Sequence, residues 1–338
     1  MRFFAKAGAI LSFLMAVAAP YLPLRADDLP QLKMRYVRPA EIPFPADDPY
    51  SDAKYELGKR LFVDPRLSGS SVTSCATCHN PALNWTDGLA VGVGSGHKSL
   101  PRKTPTILNL AWDSLYFWDG RAASLEQQAL MPIESAAEMN MPHQLMIQRL
   151  DQIGAYNALF EKAFPGQPIS TDLVAKALAT FERKIVSATA PFDRWIGGDE
   201  KAIPASAKRG FVLFNGKANC AACHSGWNFS DGSFHDIGLP GGDIGRGKEL
   251  PQLLPMQHAF KTMGLRNIAE RYPYMHDGSL PSLETVIDHY DGGFIKRDSL
   301  DDAMHPLSLT AAEKRDLISF LKTLSSHDQP FIVPVLPR

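Results

Sequence analysis

The four cysteines of this chain form two copies of one five-residue pattern, C-x-x-C-H. The two copies comprise Cys75, Cys78 and His79, and Cys220, Cys223 and His224. C-x-x-C-H is the attachment signature of c-type haem, in which the thiols bond to the haem vinyl groups and the histidine is the proximal iron ligand. The sequence therefore predicts a redox protein with two covalently bound haem c groups, whose irons are ligated by His79 and His224.

Three other interpretations of the cysteines fit less well. Zinc ribbons place their C-x-x-C pairs roughly 15–20 residues apart, whereas these pairs stand in different halves of the chain. A thioredoxin-like pair needs no following histidine. Disulfide frameworks are usual in short secreted chains, and this chain has 338 residues.

Residues 1–26 have the pattern of a secretory signal peptide. Arg2 and Lys6 provide a basic start, an apolar stretch runs to Leu24, and Ala26 is a small residue at the predicted cleavage point. A membrane anchor is the alternative, but two prolines interrupt the stretch, which is short for a bilayer span. Since c-type haem is attached outside the bacterial cytoplasm, we expect a periplasmic mature protein.

Charge and hydropathy argue against two further classes of protein. The chain has 35 basic and 36 acidic side chains, without the basic stripe that binds nucleic acid. The apolar runs after residue 26 are too short to span a bilayer. We therefore expect no nucleic-acid partner and no stable membrane insertion.

Helical periodicity dominates the mature chain, with almost no period-2 alternation, which predicts a mainly α fold. We expect helices at residues 55–62, 124–130, 141–150, 155–163, 171–187, 206–214, 282–290 and 310–324. Residues 27–50 are proline-rich and predicted to be extended, 88–105 a long loop, and 193–204 a link. The repeat of helix, C-x-x-C-H and long loop predicts an N-terminal haem domain at 27–200 and a C-terminal haem domain at 201–330.

An ordered set of longer strings surrounds the two motifs. They are RKTPTILN (102–109), FWDGR (117–121), LEQQA (125–129), PI (132–133), EM (138–139), GLRNI (264–268), PYMHDGS (273–279) and LE (283–284). Over roughly residues 50–325 the chain thereby resembles the bacterial di-haem cytochrome c peroxidases, and within them the MauG-like branch. The resemblance implies two cytochrome c-like domains packed around a shared interface that both haems face.

The resemblance also implies which residues act. The N-terminal haem would be peroxidatic and the C-terminal haem would transfer electrons. Gln128, Pro132 and Glu138 match the distal pocket, where Glu138 would move a proton between the oxygens of hydrogen peroxide. Trp118 matches the tryptophan that the family places between its haems. The alternatives are a solvated carboxylate for Glu138 and ordinary core packing for Trp118.

Tyr290 decides the branch that the resemblance implies. The string from Leu283 leads to Tyr290, where classical peroxidases of the family have a methionine ligand and MauG-like proteins have a tyrosine. A thioether raises the potential of haem iron, whereas an anionic phenolate favours higher oxidation states. A haem ligated by His224 and Tyr290 is therefore expected to hold a high-valent iron state. The alternative ligands are Met275, Met263 and Met256.

The chain departs from the family pattern at several positions. Lys103 replaces the asparagine that binds an interhaem calcium ion, and an ammonium group cannot ligate a cation, so calcium is left open as a cofactor. Ala218 replaces a surface tryptophan of MauG from methylamine oxidisers, for which Trp195 and Trp227 are the substitutes in this chain. In many peroxidases of the family a histidine of the glycine-rich loop ligates the first iron in the resting state. His97 lies in this loop but out of register for that role, so we expect the first iron to have a free coordination position.

Two classes of function follow. In the first, the protein is an oxidoreductase that reduces hydrogen peroxide. A MauG-like enzyme would oxidise a protein partner, as in maturation of a tryptophan-derived quinone cofactor. A classical cytochrome c peroxidase would detoxify peroxide with electrons from a small periplasmic cytochrome c or cupredoxin. In the second class, the protein is a non-enzymatic di-haem electron carrier, which would need neither Glu138 nor Gln128.

Overall fold

The computed structural model describes residues 28–338, so the predicted signal peptide lies outside the described residues. The helices are α1 (Leu29–Met34), α2 (Asp52–Val63), α3 (Cys75–Cys78), α4 (Leu125–Glu134), α5 (His143–Asp151), α6 (Gly154–Ala163), α7 (Thr171–Arg183), α8 (Pro191–Ile196), α9 (Ala205–Asn215), α10 (Leu283–Asp288) and α11 (Ala311–Lys322). Two short strands, β1 (Phe234–His235) and β2 (Phe260–Lys261), pair antiparallel with Phe234 opposite Lys261. From residue 28 onward, none of the helices is long and apolar enough to cross a membrane.

Two hydrophobic cores divide the molecule into two lobes, which confirms the predicted mainly α architecture. Apolar residues at helical spacing place one face of each helix in a core. In the first lobe, Leu61 and Phe62 of α2 pack with Phe181 of α7. In the second, Phe211 of α9 packs with Phe320 of α11. Each C-x-x-C-H lies just after α2 or α9, so these core helices position the motifs.

Each lobe contains one close contact between two of its own helices, and the two contacts are alike. α2 meets α7 at Gly58, where an added Cβ atom would lie 1.9 Å from the carbonyl oxygen of Ala177. α9 meets α11 at Gly210, where it would lie 2.0 Å from the carbonyl oxygen of Asp316. A side chain at either glycine would force the helices apart, because cores are close-packed. The same device in both lobes fits duplication of one unit.

Two short helices differ from the prediction. Residues 27–50 are not wholly extended, because α1 forms there and carries Leu32 and then Tyr36 into the second core. The predicted link at 193–204 begins inside α8, whose Trp195 is fully buried in the same core. Each helix has six residues with a proline in its first turn, which is too short for periodicity to reveal. Both helices precede residue 201 yet pack in the second lobe.

The end of the chain returns to the first lobe. The ring centroid of Phe331 lies 5.5 Å from that of Trp85 and 6.1 Å from that of Phe181. Nearby, the Asp328 carboxylate accepts a hydrogen bond from the amide of Ala188 at 2.7 Å. The first and last described segments thus each pack in the lobe that the other half of the chain mainly builds.

Buried polar side chains join the lobes. Asn109 donates from its Nδ2 atom to the Oδ1 atom of Asn228 at 3.0 Å. Lys261, whose side chain is 3% exposed, forms an ion pair with Asp113. These contacts face the shared interface, so the relative position of the two motifs is held by specific bonds as well as by apolar packing.

Candidate active site: two cavities and their shared wall

The first C-x-x-C-H borders a cavity of about 470 Å³, which Cys75, Cys78 and His79 all line. The Nδ1 atom of His79 lies 3.2 Å from the carbonyl oxygen of Trp85. Because a carbonyl oxygen only accepts hydrogen bonds, Nδ1 carries the proton and Nε2 keeps its lone pair for a metal. The sequence motif therefore presents a metal-competent imidazole to the cavity.

The second motif borders a cavity of about 220 Å³, lined by Cys220, Cys223 and His224. The Nδ1 atom of His224 lies 2.9 Å from the carbonyl oxygen of Phe229, which repeats the arrangement of the first site. Burial lowers the pKa of both motif histidines. Both imidazoles are thereby kept neutral, as metal ligation requires.

Gln128 and Pro132 of α4 line the first cavity together with Glu138, which follows the helix. Since Pro132 lacks an N–H group, the backbone carbonyl of Gln128 loses its helical partner. The side-chain Oε1 atom of Gln128 is also buried without a hydrogen-bond partner among residues 28–338. A buried unpaired acceptor is costly, which fits a hydrogen-bond donor bound in this cavity.

Glu138 is half-buried on the lining of the first cavity. Burial raises the pKa of its carboxyl group, while the Arg121 guanidinium and a hydrogen bond with Ser135 oppose that rise. Arg121 is held in place by Asp119 at 2.9 Å and lies over the ring of Phe117. A raised pKa moves a carboxyl group toward the working range of a proton carrier.

Trp118, Lys261 and Met263 line both cavities and form the wall between them. The indole Nε1 of Trp118 donates to the carbonyl oxygen of Lys103 at 2.9 Å, and its own carbonyl oxygen accepts from the Lys261 amide at 2.8 Å. The ring of His276 stands at 70° to the indole, with 6.4 Å between ring centroids. Trp118 is therefore held between the two sites at both its backbone and its ring.

Asp119 connects this wall to the second lobe. Arg102 donates to Asp119 at 2.6 Å and also to Asp243 of the second lobe at 2.6 Å. Burial acts to raise the pKa of Asp119, but the Arg102 hydrogen bond and the Arg121 charge hold it below its usual range. The carboxylate stays ionised and ties two guanidinium groups to the wall.

Tyr290 lies in a π-helical turn (His289–Gly293) that follows α10. Such turns are frequent at functional sites. Tyr290 lines the second cavity with Met275 and Met263, whereas Met256 is not a lining residue. Burial, and next the Cys220 thiol, raise the pKa of Tyr290, and its hydroxyl has no hydrogen-bond partner in the described part of the chain. The second cavity thus contains an unpaired phenol and three thioethers, because Met304 also lines it.

The structure also places the residues at which the chain departs from the family pattern. Lys103 is buried and donates from its Nζ atom to the carbonyl oxygen of Leu89 at 2.9 Å, and burial lowers its pKa. His97 is exposed and does not line the first cavity. Trp195 is fully buried, so its assignment as a surface tryptophan is wrong, whereas Trp227 is half-buried.

Sequence reasoning missed several charged groups in the cavity walls, of which three are deeply placed. Glu182 of α7 and Asp113 line the first cavity, and Lys261 lines both. Lys261 pairs with Asp113, whereas the Oε2 atom of Glu182 has no hydrogen-bond partner among residues 28–338. Single acidic or basic residues are exposed in most proteins, so no pattern in the sequence distinguished these three.

The two halves of the chain match two different family models. Residues 52–201 match the family model of di-haem cytochrome c peroxidase, and residues 207–325 match that of cytochrome c. The methylamine utilization protein MauG of Methylorubrum extorquens is 54% identical over 313 residues, which cover 92% of this chain and 89% of the relative. The chain belongs to the di-haem cytochrome c peroxidase family.

Other members of the di-haem peroxidase family are similar over most of their length. Cytochrome c551 peroxidase of Pseudomonas aeruginosa is 35% identical over 300 residues, which cover 86% of this chain and 83% of the relative. A crystal structure of a MauG-like protein associated with microbial copper homeostasis superposes with a TM-score of 0.79 at 32% identity, covering 86% of this chain and 94% of that chain. The protein is therefore a peroxide-using oxidoreductase of the MauG-like branch that binds haem c.

Both cavities of this di-haem peroxidase have the chemistry that haem c requires. All four motif cysteines are free thiols, available to bond to vinyl groups. Burial raises the pKa of Cys78 to about 11 and that of Cys220 to about 12. The first cavity also has the size of a cofactor site, roughly 300–1,000 Å³. Neutral imidazoles and thiols that form no disulfide, at one wall of each cavity, fit a covalently held haem.

Proposed function

We propose that this di-haem peroxidase is a periplasmic MauG-like enzyme that reduces hydrogen peroxide and oxidises a protein partner. The unpaired hydroxyl of Tyr290 in the second cavity carries the proposal. Phenolate oxygen is a haem ligand that suits oxidising chemistry, whereas methionine raises the potential of the iron. A tyrosine at this place therefore favours an enzyme that stores oxidising equivalents over one that only passes electrons to peroxide.

The proposal includes two covalently bound haem c groups. The first would be held in a peroxidatic domain at 27–200 and the second in an electron-transfer domain at 201–330. The residues that would hold them are Cys75, Cys78 and His79, and Cys220, Cys223 and His224. When bound, haem iron supplies a site for peroxide and accepts its oxidising equivalents.

In the first cavity, two side chains would act on hydrogen peroxide directly. Gln128, whose Oε1 atom lacks a partner, would accept a hydrogen bond from a peroxide O–H group and orient it. Glu138 would take the proton of the inner oxygen and deliver it to the outer oxygen, which leaves as water. Pro132 would fill the adjoining wall with an apolar ring that offers no competing donor.

Trp118 and Tyr290 would connect and complete the two sites. Trp118 lines both cavities, so an electron that passes between them through this indole takes two short steps. Burial alone favours the neutral phenol of Tyr290, and a bound metal ion reverses that preference because it lowers the pKa of its ligands. The apolar surroundings of the tyrosine would then strengthen the bond between phenolate and metal.

A classical cytochrome c peroxidase is the second candidate, and Met275 supports it. Met275 lines the same cavity as Tyr290 and would give a ligand set of histidine and methionine. The electron donor would then be a small cytochrome c or a cupredoxin. A non-enzymatic carrier is disfavoured, because a carrier has no use for Gln128 and Glu138 in the first cavity.

Adding peroxide to the fully ferric protein separates these functions. If the protein is MauG-like, we expect a long-lived oxidised spectrum without prior reduction. A second haem ligated by His224 and Tyr290 should give a low-spin ferric resonance signal. Tyr290→Phe should alter that signal and shorten the lifetime of the oxidised spectrum. Tyr274→Phe is a matched control, because Tyr274 lines the same cavity but its hydroxyl donates to the carbonyl oxygen of Ile268. Activity only after half-reduction, with an unchanged low-spin signal in Tyr290→Phe, would favour the classical peroxidase with Met275 as ligand.

The protein partner is proposed by analogy with the relative that is 54% identical, whose name ties it to methylamine utilization. We expect a partner in which tryptophan side chains are oxidised to a quinone cofactor. Peroxide, the holoenzyme and a precursor of such a partner should together produce quinone absorbance. If the holoenzyme instead oxidises only reduced cytochrome c or cupredoxin, the partner is an electron donor.

A further inference from the structure

Glu182 is a buried carboxyl group in the first cavity that the proposed reaction does not use. It lies near the end of α7, is 5% exposed and lines the cavity. Its Oε2 atom is buried and has no hydrogen-bond partner among residues 28–338. Buried charged groups are normally paired, so this side chain has an unmet electrostatic requirement.

The cation next to Glu182 is already paired. The guanidinium of Arg183 donates to the Oε1 atom of Glu126 on α4 at 2.6 Å. Burial raises the pKa of Glu182 to about 8, with Arg183 opposing the rise and Glu126 adding to it. Among residues 28–338, no cation other than Arg183 opposes the rise, so the neutral acid is the form that burial favours.

The remaining groups near Glu182 do not supply that charge. Cys75 of α3 and Tyr116 of the loop before α4 are neutral, and burial raises the pKa of both. The cations elsewhere on the cavity wall are bonded too: Lys261 to Asp113, Arg102 and Arg121 to Asp119, Lys248 to Asp243, and Lys103 to the carbonyl oxygen of Leu89. The charge that changes with oxidation state in this cavity is that of the group that His79 would hold.

We infer that Glu182 is a redox-linked proton site of the first haem, which binds one proton when that haem gains an electron and releases it when the haem loses one. The inference rests on the proposed haem at His79 but not on peroxide chemistry. In the balanced step, ferric iron takes one electron from a donor, the Glu182 carboxylate takes one proton from solvent, and ferrous iron and a carboxylic acid result. The only bond that forms is the O–H bond of Glu182.

The direction of the effect follows from charge. Reduction removes one positive charge from the cavity, and charges in a low-dielectric site interact strongly. The carboxyl of Glu182 therefore has a higher pKa beside the reduced haem than beside the oxidised haem. Between those two pKa values reduction requires a proton, so it becomes less favourable as pH rises.

An equilibrium redox titration of the holoprotein without peroxide tests the inference. Over part of the range around neutral pH, the reduction equilibrium of the first haem should become tenfold less favourable per pH unit, or about 59 mV for one electron. Glu182→Gln keeps the size of the side chain and should abolish that slope. Glu134→Gln, at the exposed end of α4 and outside the cavity lining, should retain it.

Two further measurements make the outcome decisive. The infrared difference spectrum between reduced and oxidised protein should show a protonated carboxyl band that disappears in Glu182→Gln. Glu126→Gln leaves Glu182 intact and frees Arg183 to pair with it. The pH range over which the reduction potential of the first haem depends on pH should then move to lower pH. A flat titration in the wild type, or a slope that survives Glu182→Gln, overturns the inference even if peroxide activity is normal. Failure to bind haem at His79 would instead overturn the proposed function.

Discussion

Glu138 and Gln128 line one cavity, yet only one of them can carry a proton. The carboxyl group exchanges a proton between two oxygen atoms, whereas the amide can only donate or accept hydrogen bonds. Burial raises the pKa of Glu138, and Arg121 limits that rise. The proposed roles, peroxide binding for Gln128 and proton transfer for Glu138, therefore follow from the chemistry of the two side chains.

Glu138→Gln should leave the haem content and both haem spectra unchanged but slow the reaction with peroxide by roughly 10²–10⁴-fold, the usual contribution of a general acid–base group. Stopped-flow spectroscopy of the ferric holoprotein measures this rate. Glu134→Gln is the control, because that side chain is mostly exposed at the end of α4, the helix that precedes Glu138. Slowing of about threefold or less would assign Glu138 a structural role only.

Some of the proposed functional residues could be predicted from the sequence and others could not. The motif cysteines and histidines are recognisable because covalent attachment requires fixed spacing, and Trp118 because it belongs to a longer string. Glu182 has no such signature. Its importance comes from a cavity wall and from the commitment of Arg183 to Glu126, and both are products of tertiary packing between α4 and α7.

At the scale of elements, periodicity located the long helices because each buries one face. A capping box at Thr310 begins α11, with the Glu313 carboxylate accepting a hydrogen bond from the Thr310 amide at 2.7 Å. α1 and α8 were missed, since six residues complete fewer than two turns. Their burial is set by Tyr36 and Trp195 reaching a core built by distant segments.

Gly58→Ala and Gly210→Ala should each destabilise the protein by about 1–3 kcal/mol or more, because the new methyl group would overlap a helix carbonyl. Gly154→Ala is the control: nothing lies within 4 Å of its Cβ position, and replacing a helical glycine typically stabilises by roughly 0.4–1 kcal/mol. Denaturant unfolding of the holoprotein compares the three. Equal stability of all three variants would contradict the close helix contact.

At the scale of the whole molecule, the Asp113–Lys261 pair links the lobes beside the wall that both cavities share. Removing one partner of a buried ion pair strands the other charge, whereas replacing both with apolar groups is often neutral. Burial raises the pKa of Asp113 even though Lys261 lowers it. The pair therefore sets the arrangement of the lobes more than it adds to their stability.

Lys261→Met should lower the free energy of unfolding by about 3–5 kcal/mol at neutral pH. The double variant with Asp113→Leu should recover most of that loss. In the single variant, the pKa of Asp113 is higher in the folded state than in the unfolded state. The loss of unfolding free energy should therefore shrink as pH falls toward the ordinary aspartate range. Denaturant titrations at neutral and mildly acidic pH measure both effects. A single variant as stable as the wild type would show that the pair is not buried in solution.

Because each chain end packs in the lobe that the other half of the chain mainly builds, the first lobe can be completed only late in synthesis. Synthesis runs from the N-terminus, so Cys75 and Cys78 emerge early, but Phe331, which packs on Trp85, emerges almost last. The carbonyl of Trp85 orients His79. The Trp85 ring already packs against Phe62 and Phe181, but the part of it that Phe331 covers stays open until the end of the chain is present. The first C-x-x-C-H therefore remains open to the attachment machinery for longer than the second, and a fragment that ends near residue 200 would lack the segment that closes it.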